Sequence, residues 1–389
     1  MERLFLHEQV ARAFKVTPIV TLLGPRQSGK TTLARDFAKT FPRFDFKKNY
    51  FDLEDPQHLE LLNNPSLTLA NLTGLIVIDE IQRKPDLFPF LRTLADRKNP
   101  RVKFLILGSA SRDLIQQSSE SLAGRISYIE VSPFGLSEVG VAKYERLWLR
   151  GGYPRAFLAK DNDVCWSWRE NYITTFLERD IPNLGIRIAP QLLRRFWMMI
   201  AHCHGNIFNA SDIGNSLALN DKTMKHYLDI LTGTFMVRTL MPWYENIAKR
   251  QVKRPKIYLR DSGLLHQLLG IADQTQLSHH PKLGASWEGF ALESIILNYQ
   301  VAPENAYFWS VHGQAELDLL LLQKGKRIGF EIKYSDTPKL TRQHHDIIKT
   351  LKLDRFYLVT PEGTERELDK TIRITTLKQI CQERAALLQ

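Results

Sequence analysis

The amino-acid sequence predicts an α/β fold divided over several domains. A chain of 389 residues has room for two to four domains of about 100–200 residues each. Its first 150 residues alternate short runs of aliphatic and β-branched residues with amphipathic segments, which is typical of a parallel sheet covered by helices. Three amphipathic segments and two strand-like runs follow, and residues 280–389 return to an α/β pattern.

Composition and charge narrow the classes of function. Hydrophobic residues make up 43% and charged residues 24% of the chain, as in ordinary globular proteins. The 53 Lys and Arg exceed the 42 Asp and Glu, which gives a formal net charge of +11. Residues 181–270 contain 12 basic and 5 acidic side chains, whereas residues 271–389 contain 15 of each. This local excess indicates a polyanionic partner, most commonly nucleic acid.

Several classes of protein are excluded by simple patterns. The first 15 residues are charged and lack a secretory core, and no run reaches the ~18–20 apolar residues of a membrane helix. Three distant cysteines form neither a disulfide framework nor a zinc pattern: Cys165, Cys203 and Cys381. Neighbouring residues on a helix point in different directions, which argues against a metal site at His202 and His204. We therefore expect a soluble cytoplasmic protein without membrane contact.

The strongest motif follows the first predicted strand, residues 18–23. It has the form G-x-x-x-x-G-K-T and opens a predicted helix. The glycines let the backbone approach phosphate oxygens, Lys30 places a positive charge on the β and γ phosphates, and the Thr31 hydroxyl binds Mg²⁺. The sequence thus predicts that ATP and Mg²⁺ bind to the following residues: Gly24, Pro25, Arg26, Gln27, Ser28, Gly29, Lys30, Thr31 and Thr32.

A second strand, residues 74–79, ends in two carboxylates. Asp79 is predicted to support Mg²⁺, and Glu80 to act as the general base that polarises the attacking water. Two adjacent acids at a strand end can also be merely solvated. Their combination with the phosphate-binding loop favours the catalytic interpretation.

A third strand, residues 103–107, precedes candidates for sensing the γ-phosphate. Ser109 is the first candidate and Ser111 the second, although either serine could instead cap the helix predicted to follow. Arg125 precedes the next predicted strand, residues 127–131, and is a candidate arginine finger, with Arg112 as an alternative.

Taken together, these motifs resemble the prokaryotic AAA+-type P-loop ATPases, and more narrowly those with a C-terminal winged-helix and PD-(D/E)XK nuclease-like domain. The segments that carry the resemblance span nearly the whole chain: residues 24–32, 77–82, 108–111, 122–126, 133–134, 151–154, 177–181 and 258–265. The sensor position is often Asn in the wider group but is Ser109 here. The resemblance implies an ATP hydrolase and allows a homo-oligomer.

The middle of the chain has the order of a winged helix. Residues 191–202, 211–217 and 221–231 predict three helices, with Ser211 and Asn220 as caps and Gly233 as a left-handed cap. Strands at 235–240 and 256–259 enclose a basic loop. In such a fold the third helix enters the major groove and the wing touches phosphates. The predicted nucleic-acid contacts are Lys222, Lys225, Lys249, Arg250, Lys253, Arg254 and Lys256. Winged helices also bind proteins, so the alternative stays open.

The C-terminal part combines acids with a lysine in a strand pattern. Asp318 lies on one strand, and Glu331 and Lys333 lie on the next, two residues apart and therefore on one face. Two carboxylates can hold Mg²⁺ while a lysine orients water for phosphodiester hydrolysis. By resemblance to the PD-(D/E)XK fold, Glu288 is an accessory acid and Gln343 a helix-borne polar residue. A surface ion pair or an inactive binding module is the alternative.

These patterns predict four parts. They are an ATPase domain at 1–148, a helical lid or linker at 149–190, a winged-helix domain at 191–272 and a nuclease-like domain at 280–389. The lid is expected to pack through Trp166, Trp168, Tyr172, Phe176 and Leu177. The predicted function is Mg-dependent ATP turnover coupled to binding and remodelling of nucleic acid, with DNA favoured. The alternative is a regulatory ATP switch that binds a protein partner through an inactive nuclease-like domain.

Overall fold

A computed structural model describes residues 3–42, 44–97, 102–109, 122–244, 252–311 and 315–383. By its contacts the chain forms two compact units. Unit 1 contains residues 1–133 together with 230–235, and unit 2 contains residues 134–229 and 236–389.

Unit 1 is built on a five-stranded parallel sheet. Its strands are β1 (Ile19–Leu23), β2 (Tyr50–Asp52), β3 (Gly74–Asp79), β4 (Val102–Gly108) and β5 (Ile126–Glu130), in the spatial order β2-β3-β4-β1-β5. Its helices are α1 (Leu4–Ala13), α2 (Lys30–Ala38), α3 (Phe46–Asn49), α4 (Pro56–Leu61), α5 (Pro65–Leu69) and α6 (Leu87–Ala95). The strands predicted at 18–23, 74–79, 103–107 and 127–131 are confirmed to within a residue or two.

The sheet of unit 1 brings the sequence motifs to one edge. All five residues of β1 are buried, as expected for a central parallel strand covered on both faces. The phosphate-binding loop leaves β1, the two carboxylates end β3, and Ser109 follows β4, which lies between those two strands. Because parallel strands end at the same edge, this topology places the three motifs side by side.

Unit 2 is the larger of the two. Its helices are α7 (Leu136–Val139), α8 (Tyr144–Arg150), α9 (Pro154–Phe157), α10 (Asn162–Thr175), α11 (Ile181–Asn183), α12 (Pro190–His202), α13 (Ala210–Leu217), α14 (Asp221–Gly233, of which residues 230–233 belong to unit 1), α15 (Ser262–Leu269), α16 (Gln274–His279), α17 (Leu283–Tyr299), α18 (Arg342–Leu351) and α19 (Leu377–Gln382). The residues predicted to pack the linker are buried at Tyr172, Phe176 and Leu177, but only partly so at Trp166 and Trp168.

One eight-stranded mixed sheet runs through unit 2. Its strands are β6 (Val237–Pro242), β7 (Lys256–Leu259), β8 (Ala306–Val311), β9 (Ala315–Gln323), β10 (Lys326–Ile332), β11 (Arg355–Thr360), β12 (Arg366–Glu367) and β13 (Ile372–Thr376), ordered β12-β13-β11-β10-β9-β8-β6-β7. Strand β6 pairs with β7 on one side and, in parallel, with β8 on the other. The predicted hairpin of the middle region therefore continues the C-terminal sheet.

The three middle helices form as predicted, but two of the predicted caps are wrong. Ser211 does not cap α13, because that helix begins at Ala210 and Asn209 occupies its N-cap position. Asn220 caps α14, because its side-chain oxygen accepts from the Thr223 amide at 2.8 Å. The cap predicted at Gly233 is wrong: the residue with a left-handed backbone is Phe235, at φ 65°. Helix α14 thus runs through Gly233, and strand β6 begins at Val237 rather than at 235.

In unit 2, glycines allow the backbone of the motif at 151–154 to pack closely against the motif at 258–265. The Gly152 amide donates to Asp261 at 2.8 Å, and the Leu264 amide donates to the same carboxylate at 2.9 Å. A Cβ atom at Gly263 would lie 2.1 Å from the Arg150 carbonyl oxygen. No residue with a side chain fits there unless the backbone moves.

The second residues of helices α15 and α17 give a matched pair of glycines. We expect Gly263→Ala to lower the free energy of unfolding by about 2–3 kcal/mol, because the new methyl group meets backbone. The methyl group added by Gly284→Ala would have no neighbouring atom within 4 Å. This substitution should raise the free energy of unfolding by about 0.5 kcal/mol, because alanine has the higher helix propensity. Urea unfolding of both variants checks this; equal effects would contradict the close approach at Gly263.

Candidate functional site

The phosphate-binding loop follows β1 and ends where α2 begins. Gly29 caps α2 with φ 96°, a conformation that favours glycine. A Cβ atom at Gly24 would lie 2.3 Å from the Val131 carbonyl oxygen, so this position also requires glycine. The guanidinium of Arg3 donates to the carbonyl oxygens of Ser28 and Ser132 at 3.0 and 2.9 Å. The N-terminal residues thereby brace the loop.

Lys30 lies inside this loop. Its ammonium group donates to the carbonyl oxygens of Gly24 and Pro25 at 2.9 and 2.7 Å, and the residue is only 5% exposed. These two carbonyl oxygens hold the ammonium group inside the turn of the loop. Ser28 is buried, Arg26 pairs with Glu54, and Thr32 is exposed.

Asp79 is held by two hydroxyl groups. Thr31 and Tyr50 each donate to its Oδ2 at 2.8 Å, and the Glu80 amide donates to Oδ1 at 2.9 Å. Burial raises the pKa of Asp79, and the hydrogen bond from Tyr50 partly opposes that shift. Asp79 and Thr31, the two predicted Mg²⁺ ligands of this site, are thus within direct contact of each other.

Glu80 and Ser109 are joined by a residue whose role the sequence pattern did not indicate. The Gln82 side-chain amide donates to Glu80 and, at 2.8 Å, to the Ser109 hydroxyl, while Ser109 lies 3.4 Å from the Glu80 carboxylate. Glu80 has φ 56°, which turns its side chain out of the strand direction. The predicted base and the predicted sensor therefore share one hydrogen-bonded group.

The predicted arginine finger lies at the far end of the sheet from this group. Arg125 pairs with Asp96 and donates to the Ala123 carbonyl oxygen at 2.9 Å. It precedes β5, whereas the nucleotide motifs follow the strands, so it lies at the opposite edge of unit 1. Within one chain Arg125 does not reach the phosphate-binding loop. The alternatives Ser111 and Arg112 lie outside the described residues.

The predicted nucleic-acid contacts fall into three groups. Lys222 and Lys225 are exposed on α14, and Lys253 and Arg254 are exposed just before β7. Lys249 and Arg250 lie outside the described residues. The prediction that Lys256 is an exposed residue of the wing is wrong. Its side chain is buried, with the residue only 3% exposed, and its ammonium group contacts carboxylates.

Those carboxylates are the predicted nuclease-like acids together with Glu316. The Lys256 ammonium contacts Glu316 and lies 3.6 Å from Glu288 Oε1 and 3.8 Å from Asp318 Oδ1. The Tyr258 hydroxyl donates to Glu288 at 2.6 Å, and the Ile332 amide donates to Asp318 at 2.8 Å. We call Lys256, Glu288, Glu316, Asp318, Glu331 and Lys333 the acidic cluster.

Strand β10 completes the acidic cluster. Lys333 is half exposed and lies 2.8 Å from Glu331 Oε1, and His344 Nε2 lies 3.9 Å from the same oxygen. The structure therefore brings Glu288, Asp318, Glu331 and Lys333 together, as the resemblance implied. The buried His344 of α18 therefore lies beside these acids, whereas Gln343, the residue predicted on that helix, is exposed. The sequence pattern of this helix did not single out His344.

Burial controls protonation in the acidic cluster. It raises the pKa of Glu331 and of Glu288, and repulsion from Asp318 adds to both shifts. Burial alone would lower the pKa of Lys256, but the attraction of Glu288, Asp318 and Glu316 outweighs it and the net pKa is raised. Lys256 is therefore charged at neutral pH and is a counter-charge for Glu288, Asp318 and Glu316, whereas Lys333 is the counter-charge beside Glu331.

Preformed metal sites and membrane-spanning helices are both absent from the described part of the chain. Among these residues, no three His, Cys, Asp or Glu side chains are arranged to hold a metal ion as they stand. Over the same ranges, no helix has the length and hydrophobicity needed to span a bilayer.

Family models divide the chain into three consecutive matches. Residues 16–140 match an AAA domain, and residues 141–275 and 283–380 match two domains of unknown function, DUF8612 and DUF4143. Together with the parallel sheet and the geometry of Lys30, Thr31 and Asp79, the first match defines the class of the N-terminal part. It is a P-loop ATPase domain of the AAA type.

Two curated relatives cover nearly all of the chain. They are the uncharacterized protein Rv2008c of Mycobacterium tuberculosis and the uncharacterized protein Mb2031c of Mycobacterium bovis. Each is 46% identical over 380 residues, which is 98% of this chain and 85% of the relative. The chain belongs to the same family as these two proteins.

Solved structures are similar only in part. A Walker-type ATPase of Pyrococcus abyssi is 15% identical, covering 69% of this chain and 95% of that one, with a TM-score of 0.47. RuvB of Thermotoga maritima is 16% identical, covering 61% and 90%, with a TM-score of 0.31. These scores are too low to extend the comparison beyond the domain already identified.

Proposed function

We propose that the protein is a Mg-dependent ATPase that binds nucleic acid, with DNA favoured, and remodels or processes it through unit 2. The observation that carries the ATPase part is the group formed by Lys30, Thr31, Asp79 and Glu80 at one edge of the parallel sheet. Lys30 would bind the β and γ phosphates, Thr31 and Asp79 would hold Mg²⁺, and Glu80 would take a proton from water.

The Mg²⁺ ion would supply charge neutralisation for the phosphates. Thr31 and Asp79 fit this role, because their oxygens already meet at 2.8 Å and Tyr50 orients the carboxylate. Ser109 would sense the γ-phosphate and pass its position to Glu80 through Gln82. A homo-oligomer would be needed for Arg125 to act as a finger, since it lies away from the loop of its own chain.

Exposed basic residues support nucleic-acid binding. On α14 the side chains of Met224, Tyr227 and Leu228 are buried, while Lys222 and Lys225 are exposed on the other face. The order of three helices and an antiparallel pair supports a winged-helix domain at 191–272, whose third helix is α14. Lysines that are not accompanied by side chains able to read base edges bind mainly to phosphates. We therefore favour recognition of the DNA backbone over recognition of a base sequence.

The acidic cluster supports a nuclease-like domain at 280–389. Asp318 and Glu331 lie on neighbouring antiparallel strands with Lys333 beside them, which is the donor set that a Mg²⁺-dependent phosphodiesterase uses. We assign the metal-ligand role to Asp318 and Glu331. Cleavage of DNA by the wild type in Mg²⁺ or Mn²⁺ that is lost in Asp318→Ala would support catalysis by this domain. If the wild type leaves DNA intact, the domain acts as a binding module and not as a nuclease.

The nucleic-acid part is tested by removing charge from α14. We expect Lys222→Ala with Lys225→Ala to weaken DNA binding and to reduce the slope of log affinity against log salt by about 2, because each lysine neutralises about one phosphate. Fluorescence anisotropy with labelled duplex and single-stranded DNA between roughly 50 and 200 mM salt measures both quantities.

The matched control removes the same charge elsewhere. Lys349 and Lys352 are exposed at the end of α18, so their double alanine variant should keep the wild-type slope. An equal decrease in both variants would mean that only net charge matters. If no DNA form binds or stimulates ATP turnover, the regulatory switch with a protein partner replaces this proposal.

A further inference from the structure

The acidic cluster already contains a cation from its own chain. Lys256 lies on β7, whereas Glu288 lies on α17 and Asp318 on β9, so three separate segments of unit 2 meet at one ammonium group. The Lys256 side chain is only 4% exposed. An ammonium group buried to this degree needs carboxylate partners to offset its missing hydration.

The cluster can accept more positive charge than it holds. Its four carboxylates face two ammonium groups, those of Lys256 and Lys333. Glu331 is 6% exposed, and its Oε2 has no hydrogen-bond partner among the described residues. A buried carboxylate oxygen without a partner is costly, and a bound cation would satisfy it.

We propose that Lys256 competes with a divalent cation for the acidic cluster, so that the arrangement described here is the metal-excluding form of the site. The inference rests on the metal role proposed for Asp318 and Glu331 and adds a regulation to it. Of the two proposed metal ligands, Asp318 is the one that Lys256 approaches, because the ammonium group lies 3.8 Å from Asp318 Oδ1 and would repel a divalent ion bound there. In this proposal, tight binding of the ion at Asp318 requires the Lys256 ammonium group to withdraw, whereas the half-exposed Lys333 beside Glu331 can turn toward solvent.

This competition couples metal binding to strand β7. Lys256 is the first residue of β7, and its backbone also bridges to Ile207 ahead of helix α13. When the ammonium group withdraws, this end of β7 is no longer held by Glu288, Glu316 and Asp318. Lys256 thus links the middle helices to the C-terminal acids, beside the hydrogen bond that Tyr258 of β7 donates to Glu288.

The first experiment measures Mn²⁺ binding to the full-length, nucleotide-free protein by electron paramagnetic resonance. Lys256→Met keeps the length of the side chain but removes its charge, and we expect Mn²⁺ to bind roughly ten- to hundred-fold more tightly. Lys326→Met, an exposed lysine at the start of β10, is the matched control and should bind Mn²⁺ like the wild type. Adding Asp318→Asn to Lys256→Met should abolish the tighter binding.

The outcomes separate the two proposals. Equal or weaker binding by Lys256→Met, with binding still abolished in Asp318→Asn, would overturn the competition and leave the metal role in place. Binding that is insensitive to Asp318→Asn would overturn the metal role itself, and the competition with it.

A second experiment needs no variant that might fail to fold. In wild-type protein, acetylation by an N-hydroxysuccinimide ester, read by mass spectrometry, should spare Lys256 in metal-free buffer and modify it when Mn²⁺ saturates the site. Lys326 should react equally in both conditions. Protection of Lys256 that is unchanged by Mn²⁺ would overturn the competition.

Discussion

Replacing Lys30 by alanine should abolish tight nucleotide binding, with a decrease in affinity of about 10²-fold for ATP. The buried Lys30 ammonium group donates to two carbonyl oxygens of the loop in the structure, at the place where the phosphates are proposed to bind. Charge-assisted hydrogen bonds to phosphate account for a decrease of this size. Titration of a fluorescent ATP analogue or calorimetry measures it directly.

The same helix supplies the control for Lys30→Ala. Lys39 lies at the other end of α2, exposed and paired with Asp36, so Lys39→Ala should bind ATP like the wild type. Circular dichroism should show both variants folded. ATP binding by Lys30→Ala at wild-type affinity would contradict the assignment of the phosphate-binding loop.

Glu80→Gln should bind ATP but hydrolyse it about 10²–10⁴-fold more slowly. The substitution keeps the shape of the side chain and its contact with Gln82, but an amide cannot take a proton from water. Release of phosphate under saturating ATP gives the rate, with Lys30→Ala as the baseline for contaminating activity. Titration of Glu80→Gln with the fluorescent ATP analogue shows that its nucleotide site is intact.

A matched substitution guards against a general effect of removing a charge. Glu60 is exposed on α4, and Glu60→Gln should keep the wild-type rate. Wild-type turnover by Glu80→Gln would mean that another group activates the water. In that case Asp79, which is buried and held by Thr31 and Tyr50, would be the next carboxylate to test.

Local patterns were enough to predict where the glycine-rich loop and its lysine lie. A glycine-rich loop between a strand and a helix constrains its own geometry, so Gly24, Gly29 and Lys30 could be placed from neighbouring residues alone. Tyr50 and Gln82 could not be placed in this way. Their contacts with Asp79 and Ser109 depend on which strands become neighbours in the sheet, and this order is a long-range property.

The same limit explains the correction at Lys256. Its neighbours Lys253 and Arg254 made it look like part of a solvated basic loop, and both of those are exposed. Lys256, however, is the first residue of β7, where the pleat directs alternate side chains to opposite faces. Only the pairing of β6 with β8 brings that face to the acids of the C-terminal strands.

That pairing has a consequence for how such a chain can change by recombination. Because β6 is hydrogen-bonded to β7 on one side and to β8 on the other, a crossover point between residues 259 and 306 would split one sheet between two parents. One parent would then have to supply a β6 edge that pairs with the β8 of the other. The second parent would also have to supply carboxylates that pair with Lys256 of the first. The middle and C-terminal segments should therefore be exchanged together in recombination, as one unit.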